Sequence, residues 1–230
     1  MIKVALTPPM PCSYLADQQE QIFVVQDDDL HNQAGYEVLL LNGFRRSGND
    51  VYRPHCQHCQ ACQSIRIDSQ TFKPSKSQKR LLNKNKHLEM RISHQPQTGY
   101  YPLYERYINT LHSDGAMYPA SQAQYDGFIS NTWLTPTFIE FYSEDILVAV
   151  AVTDVMTDSM SAMYCFYDPN FLANSLGTYA VLQQLVIAKQ TGKKWLYLGY
   201  QIDQCSKMNY KVKFNPHQRL IAGEWQPSYR

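Results

Sequence analysis

No stretch of this 230-residue chain approaches the about 18 consecutive apolar residues of a membrane-crossing helix. The opening Met1-Ile2-Lys3-Val4-Ala5-Leu6-Thr7-Pro8-Pro9 also lacks the apolar core of a secretory leader. The expectation is a cytoplasmic protein with no membrane partner. Net charge is missing as well: 21 Lys and Arg against 20 Asp and Glu leave +1, so no global field favours nucleic acid. There is no second pair of CxxC knuckles, no internal repeat and no low-complexity tract. Of six cysteines, three are bunched and Cys12, Cys165 and Cys205 are scattered, which suits a reducing compartment better than a disulfide framework.

What is present is ordinary globular composition, 44% hydrophobic and 18% charged, enough for one large domain or two small ones sharing a core. Two features depart from that background. The 17 tyrosines each join an apolar ring to a polar tip and suit ligand-lined surfaces as well as core. Charge is segregated: Lys73 to Lys86 holds six Lys and Arg and no acid, while Asp27-Asp28-Asp29 forms an acidic run.

The densest stretch is Gly43 to Ser77. It brackets Arg45-Arg46 between glycines, then sets Cys56, Cys59 and Cys62 between two strand-like segments, Val51-Tyr52-Arg53 and Ser64-Ile65-Arg66-Ile67. A helix is expected over Asp29–Asn42, stopped by Gly43. A basic helix capped by Ser75 is expected through Lys86, carrying Lys76, Lys79, Arg80, Lys84 and Lys86 without the neutralising acids of an ordinary surface helix, which favours phosphate binding. The composition shifts near Gln95-Pro96-Gln97. Beyond it come a helix from Pro102 to Ser113 and a second opened by Ser121-x-x-Gln124. Strands at Phe138–Tyr142, Ile146–Thr153 and Ser159–Tyr167, a helix over Gly177–Thr191 and a strand at Trp195–Leu198 follow. Three antiparallel strands, a helix and another strand give the order of an N-acetyltransferase-like (GNAT-like) core. The expected fold is therefore α+β, a mixed-sheet core over residues 96–230 with a cysteine-containing α/β subdomain, residues 1–95, packed on it.

Several chemistries remain open from the residues alone. Cys56, Cys59 and Cys62, with Cys12, His55 or His58 as a fourth ligand, suit zinc or an iron–sulfur cluster; free thiols are the alternative. An acetyl-CoA site would want a glycine-rich turn before the long helix, and Asn174-Ser175-Leu176-Gly177-Thr178 offers one glycine, a poor pyrophosphate cradle. Acyl transfer without coenzyme A needs a donor that carries its own activation, as an aminoacyl-tRNA ester does, with the basic helix as its landing surface. A non-catalytic zinc-ribbon RNA-binding module and a coenzyme A-dependent acetyltransferase are the competing classes.

The motifs then narrow the choice. Cys12-x-Tyr14-Leu15, Gly43-Phe44-Arg45-Arg46-Ser47-Gly48, Tyr52-Arg53-Pro54-x-Cys56, Phe72-x2-Ser75-x-Ser77-Gln78-x-Arg80, His112 with Asp114-Gly115, and Leu176-Gly177-x-Tyr179 run along the chain. Leu196-Tyr197-Leu198-Gly199-Tyr200 and Lys207-Met208-x-Tyr210-Lys211 close it. In these the chain resembles the arginyl-tRNA–protein transferase family, most closely its short bacterial branch. The resemblance implies transfer of leucine from leucyl-tRNA to the α-amine of proteins that begin with Asp or Glu, marking them for N-degron degradation; arginyl transfer is the neighbouring alternative. It implies no required cofactor. In the eukaryotic branch cysteines bind a metal or cluster, which keeps Cys12, Cys56, Cys59 and Cys62 as ligand candidates. Under this reading Tyr197, Tyr200, Tyr210 and Lys211 position the reactants and donate to the oxyanion. Arg45 or Arg46 supplies a guanidinium fork for the acceptor carboxylate. Arg53, Arg66, Gly177 and Tyr179 complete the substrate-binding set.

Overall fold

A computed structural model describes residues 2–228 of the chain. The first part holds β1 (Val4–Leu6), a small antiparallel pair β2 (Met10–Pro11) and β3 (Gln19–Glu20), then β4 (Ile22–Val25), α1 (Gln33–Leu41), β5 (Arg45–Ser47) and β6 (Asp50–Pro54). Next come β7 (Gln63–Asp68), α2 (Lys76–Lys84), β8 (Glu89–Ser93), α3 (Tyr100–Leu111) and α4 (Gln122–Ile129). Strands β9 (Thr137–Ser143), β10 (Ile146–Val155) and β11 (Ser159–Tyr167) precede α5 (Leu176–Gln190), β12 (Trp195–Gln201), β13 (Gln218–Ile221) and β14 (Glu224–Pro227).

The result is an α+β fold built on a large mixed sheet of eight strands in the order β14-β13-β7-β12-β11-β10-β9-β8. β7 and β8 come from the first 95 residues and the other six from beyond. Only β11 and β12 pair in parallel among the described strands. A second, antiparallel sheet, β1-β4-β6-β5, sits beside it. Alternation along β10 explains the layering, since successive side chains leave a strand on opposite faces. Val150 and Val152 meet Tyr100, Leu103, Tyr104 and Ile108 of α3, while Ala149 and Ala151 meet Leu176, Tyr179 and Ala180 of α5. The alanines at that second contact let α5 lie close to the sheet. α1 covers the small sheet through Tyr36, Leu39 and Leu40 against Val25, Phe44 and Val51. Burial of each such large side chain is worth about 1.5–3 kcal/mol. No helix of the described residues is long and apolar enough to cross a membrane.

Two differences from the sequence expectations have local causes. The first helix begins at Gln33 because the Asn32 side chain accepts from Gly35 N (2.9 Å), and Asp28–Leu30 forms a separate 3₁₀ turn. Ser121 caps α4 through Gln124 N (3.3 Å), without the reciprocal bond of a capping box. At Gly48 (φ 56°) a Cβ would stand 2.2 Å from Gly127 O, so this glycine lets the arginine hairpin press against α4.

Candidate active site

The parallel pair is where the large sheet opens. β11 and β12 share a ladder only from Ser159–Trp195 to Ser161–Tyr197, yet β11 continues to Tyr167 and β12 to Gln201. Past the ladder the strands part, and their facing backbone groups need other partners. Arg45 supplies some of them from β5: Nη1 donates to Ser161 Oγ (2.9 Å) and Nη2 to Ala162 O (2.6 Å), with a longer contact from Nη1 to Tyr197 O (3.5 Å). One flank of its guanidinium lies against Gly199, whose φ of 84° accompanies a slip in the β12–β7 register between Tyr197 and Tyr200.

The wedge between the parted strands is a cavity of about 760 Å³. Tyr107, Tyr164, Tyr167, Tyr200 and Tyr210 give it aromatic walls, Arg45, Lys207 and Lys211 give it cations, and the first turn of α5 enters at Gly177 and Thr178. His112 also borders it, its ring 4.8 Å from Tyr107; burial, then the Lys207 charge, hold this imidazole below its ordinary value. Lys207 Nζ reaches across to both carboxylate oxygens of Asp114 (2.8 and 2.7 Å), joining the two loops beside the mouth. Inside, Lys211 Nζ donates to Tyr200 O (2.8 Å) and Met208 O (3.3 Å). Burial first and the Arg45 charge second lower it to about 8.

Of the residues singled out from sequence, the cavity gathers Arg45, Gly177, Tyr200, Tyr210 and Lys211, and Arg46 borders it with its guanidinium held by Asp154. Others are engaged elsewhere. Arg46 is closed off: Nε and Nη2 hold Asp154 Oδ2 (2.9 Å) and Oδ1 (2.5 Å), with both side chains 0% exposed. It therefore has no fork to offer a carboxylate. Arg66 is stacked between Trp195 (3.8 Å) and Trp225 (4.1 Å) and gives Nε and Nη2 to Gln218 Oε1. Arg53 lies over the Phe44 ring and donates to Asn42 O. The Tyr197 hydroxyl accepts from Arg66 Nη1 (3.3 Å), away from the cavity, and Tyr179 packs on Phe141. Tyr200 contributes its ring, because its hydroxyl is spent on Gly43 O (3.0 Å).

The basic helix forms as expected, with both bonds of a Ser75–Gln78 capping box. Lys76, Lys79, Arg80, Lys84 and Lys86 are exposed and have no acidic partner among the described residues. The end of this helix is tied to the segment leading into α5. Lys84 Nζ donates to Ala173 O (2.7 Å), Asn85 Nδ2 donates to Asn174 O (2.9 Å), and Asn174 Nδ2 donates to Asn85 Oδ1 (2.8 Å). Leu172 and Ser175 of that segment border the cavity, so the cationic surface runs up to its mouth.

Cys12, Cys56, Cys59 and Cys62 do gather, around a smaller cavity of about 180 Å³ that shares Tyr14, Tyr52 and Tyr200 with the large one. The expected metal site is not formed there. Among the described residues no group of three or more His, Cys, Asp or Glu is arranged to hold an ion. Cys12 Sγ instead accepts from Tyr14 N (3.5 Å), Cys56 Sγ lies 3.7 Å from Gln21 O, and burial pushes the Cys62 thiol up to about 12. The donor set as folded does not fit zinc or a cluster.

The sequence reading missed Tyr107, Tyr164 and Tyr167 as cavity walls; the excess of tyrosine was the available signal. It named His112 and Gly199 only inside motifs and gave them no role.

Comparison with known proteins agrees with the motifs. Residues 10–80 match the family described as arginine-tRNA-protein transferase, N terminus, and residues 99–221 match its C terminus. An aspartate/glutamate leucyltransferase of Aeromonas salmonicida is 53% identical over 98% of this chain and 95% of its own length. Proteins of the same name are 50% identical in Pseudoalteromonas atlantica and 49% in Vibrio cholerae, each over 98% of this chain and 97% of theirs. Among solved structures, the C-terminal domain of a putative lysylphosphatidylglycerol synthetase from Agrobacterium fabrum aligns with TM-score 0.50 at 10% identity. That alignment covers 90% of this chain and 79% of that one, a likeness of fold alone.

Proposed function

This chain belongs to the arginine-tRNA-protein transferase family, and from that premise we propose that it moves leucine from leucyl-tRNA to the α-amine of proteins beginning with Asp or Glu, in the cytoplasm, marking them for degradation. The observation that carries the reading is the aromatic, cationic cavity in the wedge between β11 and β12, approached along a helix whose cations have no acidic partners among the described residues. Strands β9, β10 and β11, helix α5 and strand β12, with its parted parallel pair, support an N-acetyltransferase-like core. In this assignment residues 96–230 provide the acyl-transfer end, and residues 1–95 provide the arginine hairpin and the basic helix.

The charged tRNA lands with acceptor-stem phosphates on Lys76, Lys79, Arg80, Lys84 and Lys86, and its 3′ end enters past Ser175. The tyrosine walls offer faces on which unstacked bases rest. The acceptor nitrogen attacks the ester carbonyl carbon, the bond to the terminal ribose oxygen breaks, and the proton lost by nitrogen ends on that oxygen. The products are an amide and an uncharged tRNA. An α-amine with a pKa of about 7.7–8.0 is partly neutral at pH 7, so a strong base is unnecessary. Juxtaposition of the two reactants supplies about 7–11 kcal/mol, and Tyr210, on the cavity wall, is assigned as the hydroxyl donor for the developing oxyanion.

The test incubates the protein with tRNA charged with labelled leucine or arginine and peptides beginning with Asp, Glu or Asn. Label from leucyl-tRNA should appear on the Asp and Glu peptides. Label on none of them, or transfer only when acetyl-CoA is added, would overturn the reading.

A further inference from the structure

Two cations on the inner wall of the large cavity have no counter-ion. Arg45 is 5% and Lys211 4% exposed, and no ion pair among the described residues includes either. Their acceptors are carbonyls and one hydroxyl, and the third neighbour of Lys211 Nζ is the Met208 thioether at 3.5 Å. Arg45 Nε has no protein acceptor among the described residues. The adjacent Arg46 shows that the fold can supply a carboxylate to a buried guanidinium, since Asp154 is placed for it.

An uncompensated ion out of water costs several kcal/mol, and carbonyl dipoles offset only part of it. Two such ions on one wall leave a positive field in a medium that screens poorly. Burial is the larger cause of the depressed Lys211 ammonium, and the Arg45 charge felt at Nζ is the second. Gly199 keeps the flank of Arg45 clear, because a Cβ there would sit 3.7 Å from both Nε and Nη2. The cavity is thus prepared for an anion. The seat lies at its nearly solvent-free inner wall, where a phosphodiester, which continues in both directions, does not fit. A carboxylate at the end of a side chain does.

Resting on the transferase reading above, we propose that Lys211 and Arg45 together seat the side-chain carboxylate of the acceptor's first residue. Lys211, expected from sequence to act in catalysis, is by this assignment the residue that distinguishes acidic acceptors from their amides. An amide at the same place would bring its own donors against Nζ and leave the cations unpaired.

The experiment measures kcat/KM for peptides beginning with Glu or Gln in the wild type, Lys211→Met and Lys211→Arg, with leucyl-tRNA saturating, alongside thermal melting of each variant. Lys211→Met should lower the Glu-to-Gln ratio roughly 30-fold or more, through KM for the Glu peptide. Lys211→Arg should recover much of the ratio. A second reading needs no change at Lys211: the wild-type ratio should fall as pH rises through about 8. The α-amine titrates alike in both peptides; of the other groups facing Lys211, burial keeps Cys62, Tyr200 and Tyr210 neutral in this window, and a Cys205→Ser background removes the remaining thiol. Equal loss toward both peptides would return Lys211 to catalysis, and a rise in KM confined to leucyl-tRNA, measured in turn with the Glu peptide saturating, would make the seat a phosphate site. Either outcome overturns the proposal, as does a ratio flat from pH 7 to 9. A wild type inert toward every peptide would sink the transferase reading itself.

Discussion

Replacing Arg46 with methionine separates the two roles its sequence context suggests. In the structure it is one half of a fully buried, two-point ion pair, with a further bond from Nη1 to Gly48 O (3.2 Å). Removing the guanidinium leaves Asp154 charged and dry at 0% exposure, a change that costs about 3–5 kcal/mol. For a chain of this length each kcal/mol moves the melting temperature by about 2–4 °C, so Arg46→Met should melt roughly 6–20 °C lower. Such a loss consumes much of the 5–15 kcal/mol that holds a typical fold together. Arg46→Lys should lie between, since an ammonium cannot make the forked contact. Replacing both partners, Arg46→Met with Asp154→Leu, should restore most of the melting temperature, because the penalty belongs to the orphaned charge. Calorimetry of the wild type, Arg46→Met, Asp154→Leu and the double variant closes the cycle, with Arg46→Lys measured beside them. Per folded molecule, the preference for Glu over Gln acceptors should survive in all of them. An Arg46→Met variant with unchanged melting and no acidic preference would refute the reasoning and return Arg46 to the acceptor.

The remaining predictions touch other parts of the molecule. Lys79→Ala with Arg80→Ala should raise KM for leucyl-tRNA and flatten its dependence on salt, each lost phosphate contact reducing the slope of log K against log salt by about 0.9 on a duplex; an unchanged slope removes α2 from the landing surface. Lys211, held near 8 against an ordinary 10.5, leaves the folded protein with fewer bound protons than the unfolded chain between those values. Its contribution to stability is therefore absent below about pH 8 and rises through that window. Urea midpoints across pH 7.5–10.5 should climb in the wild type more than in Lys211→Met. Incubation with a strong chelator should leave the melting temperature unmoved, since the thiols around the small cavity are not arranged about a common ion. A fall of several degrees, reversed by zinc or iron, would restore the cysteines as ligands.

Much of the fold was legible because local chemistry and burial point the same way. The Ser75 cap before α2, the apolar run of β10 and the spacing of Tyr179, Leu182 and Leu185 in α5 each name an element, although Val186, which the same spacing counts as buried, is exposed. β1, β4, β13 and β14 escaped because three or four residues are too short a run for a period to show. What pairs β4 with β6 is the register of Ile22–Pro54 through Val24–Tyr52, a long-range contact that leaves no mark in either segment alone.

The site was harder, and its misassignments share one physical origin. In a strand, neighbours point to opposite faces, so the Arg45 and Arg46 side chains could not both face one ligand. Parity divides that pair but cannot say which member faces the chemistry, and it does not apply to Tyr197 and Tyr200, which the register slip beside Gly199 separates. That choice is made where β11 and β12 part, a consequence of a three-pair ladder and a register slip beside Gly199. Arg45 is drawn to the unpaired carbonyls at the parting, while Arg46, turned the other way, meets an aspartate more than a hundred residues distant in sequence. The unpaired positive charge inside the cavity thus comes from one member of an adjacent pair being neutralised and the other not. A composition of +1 hides that asymmetry completely.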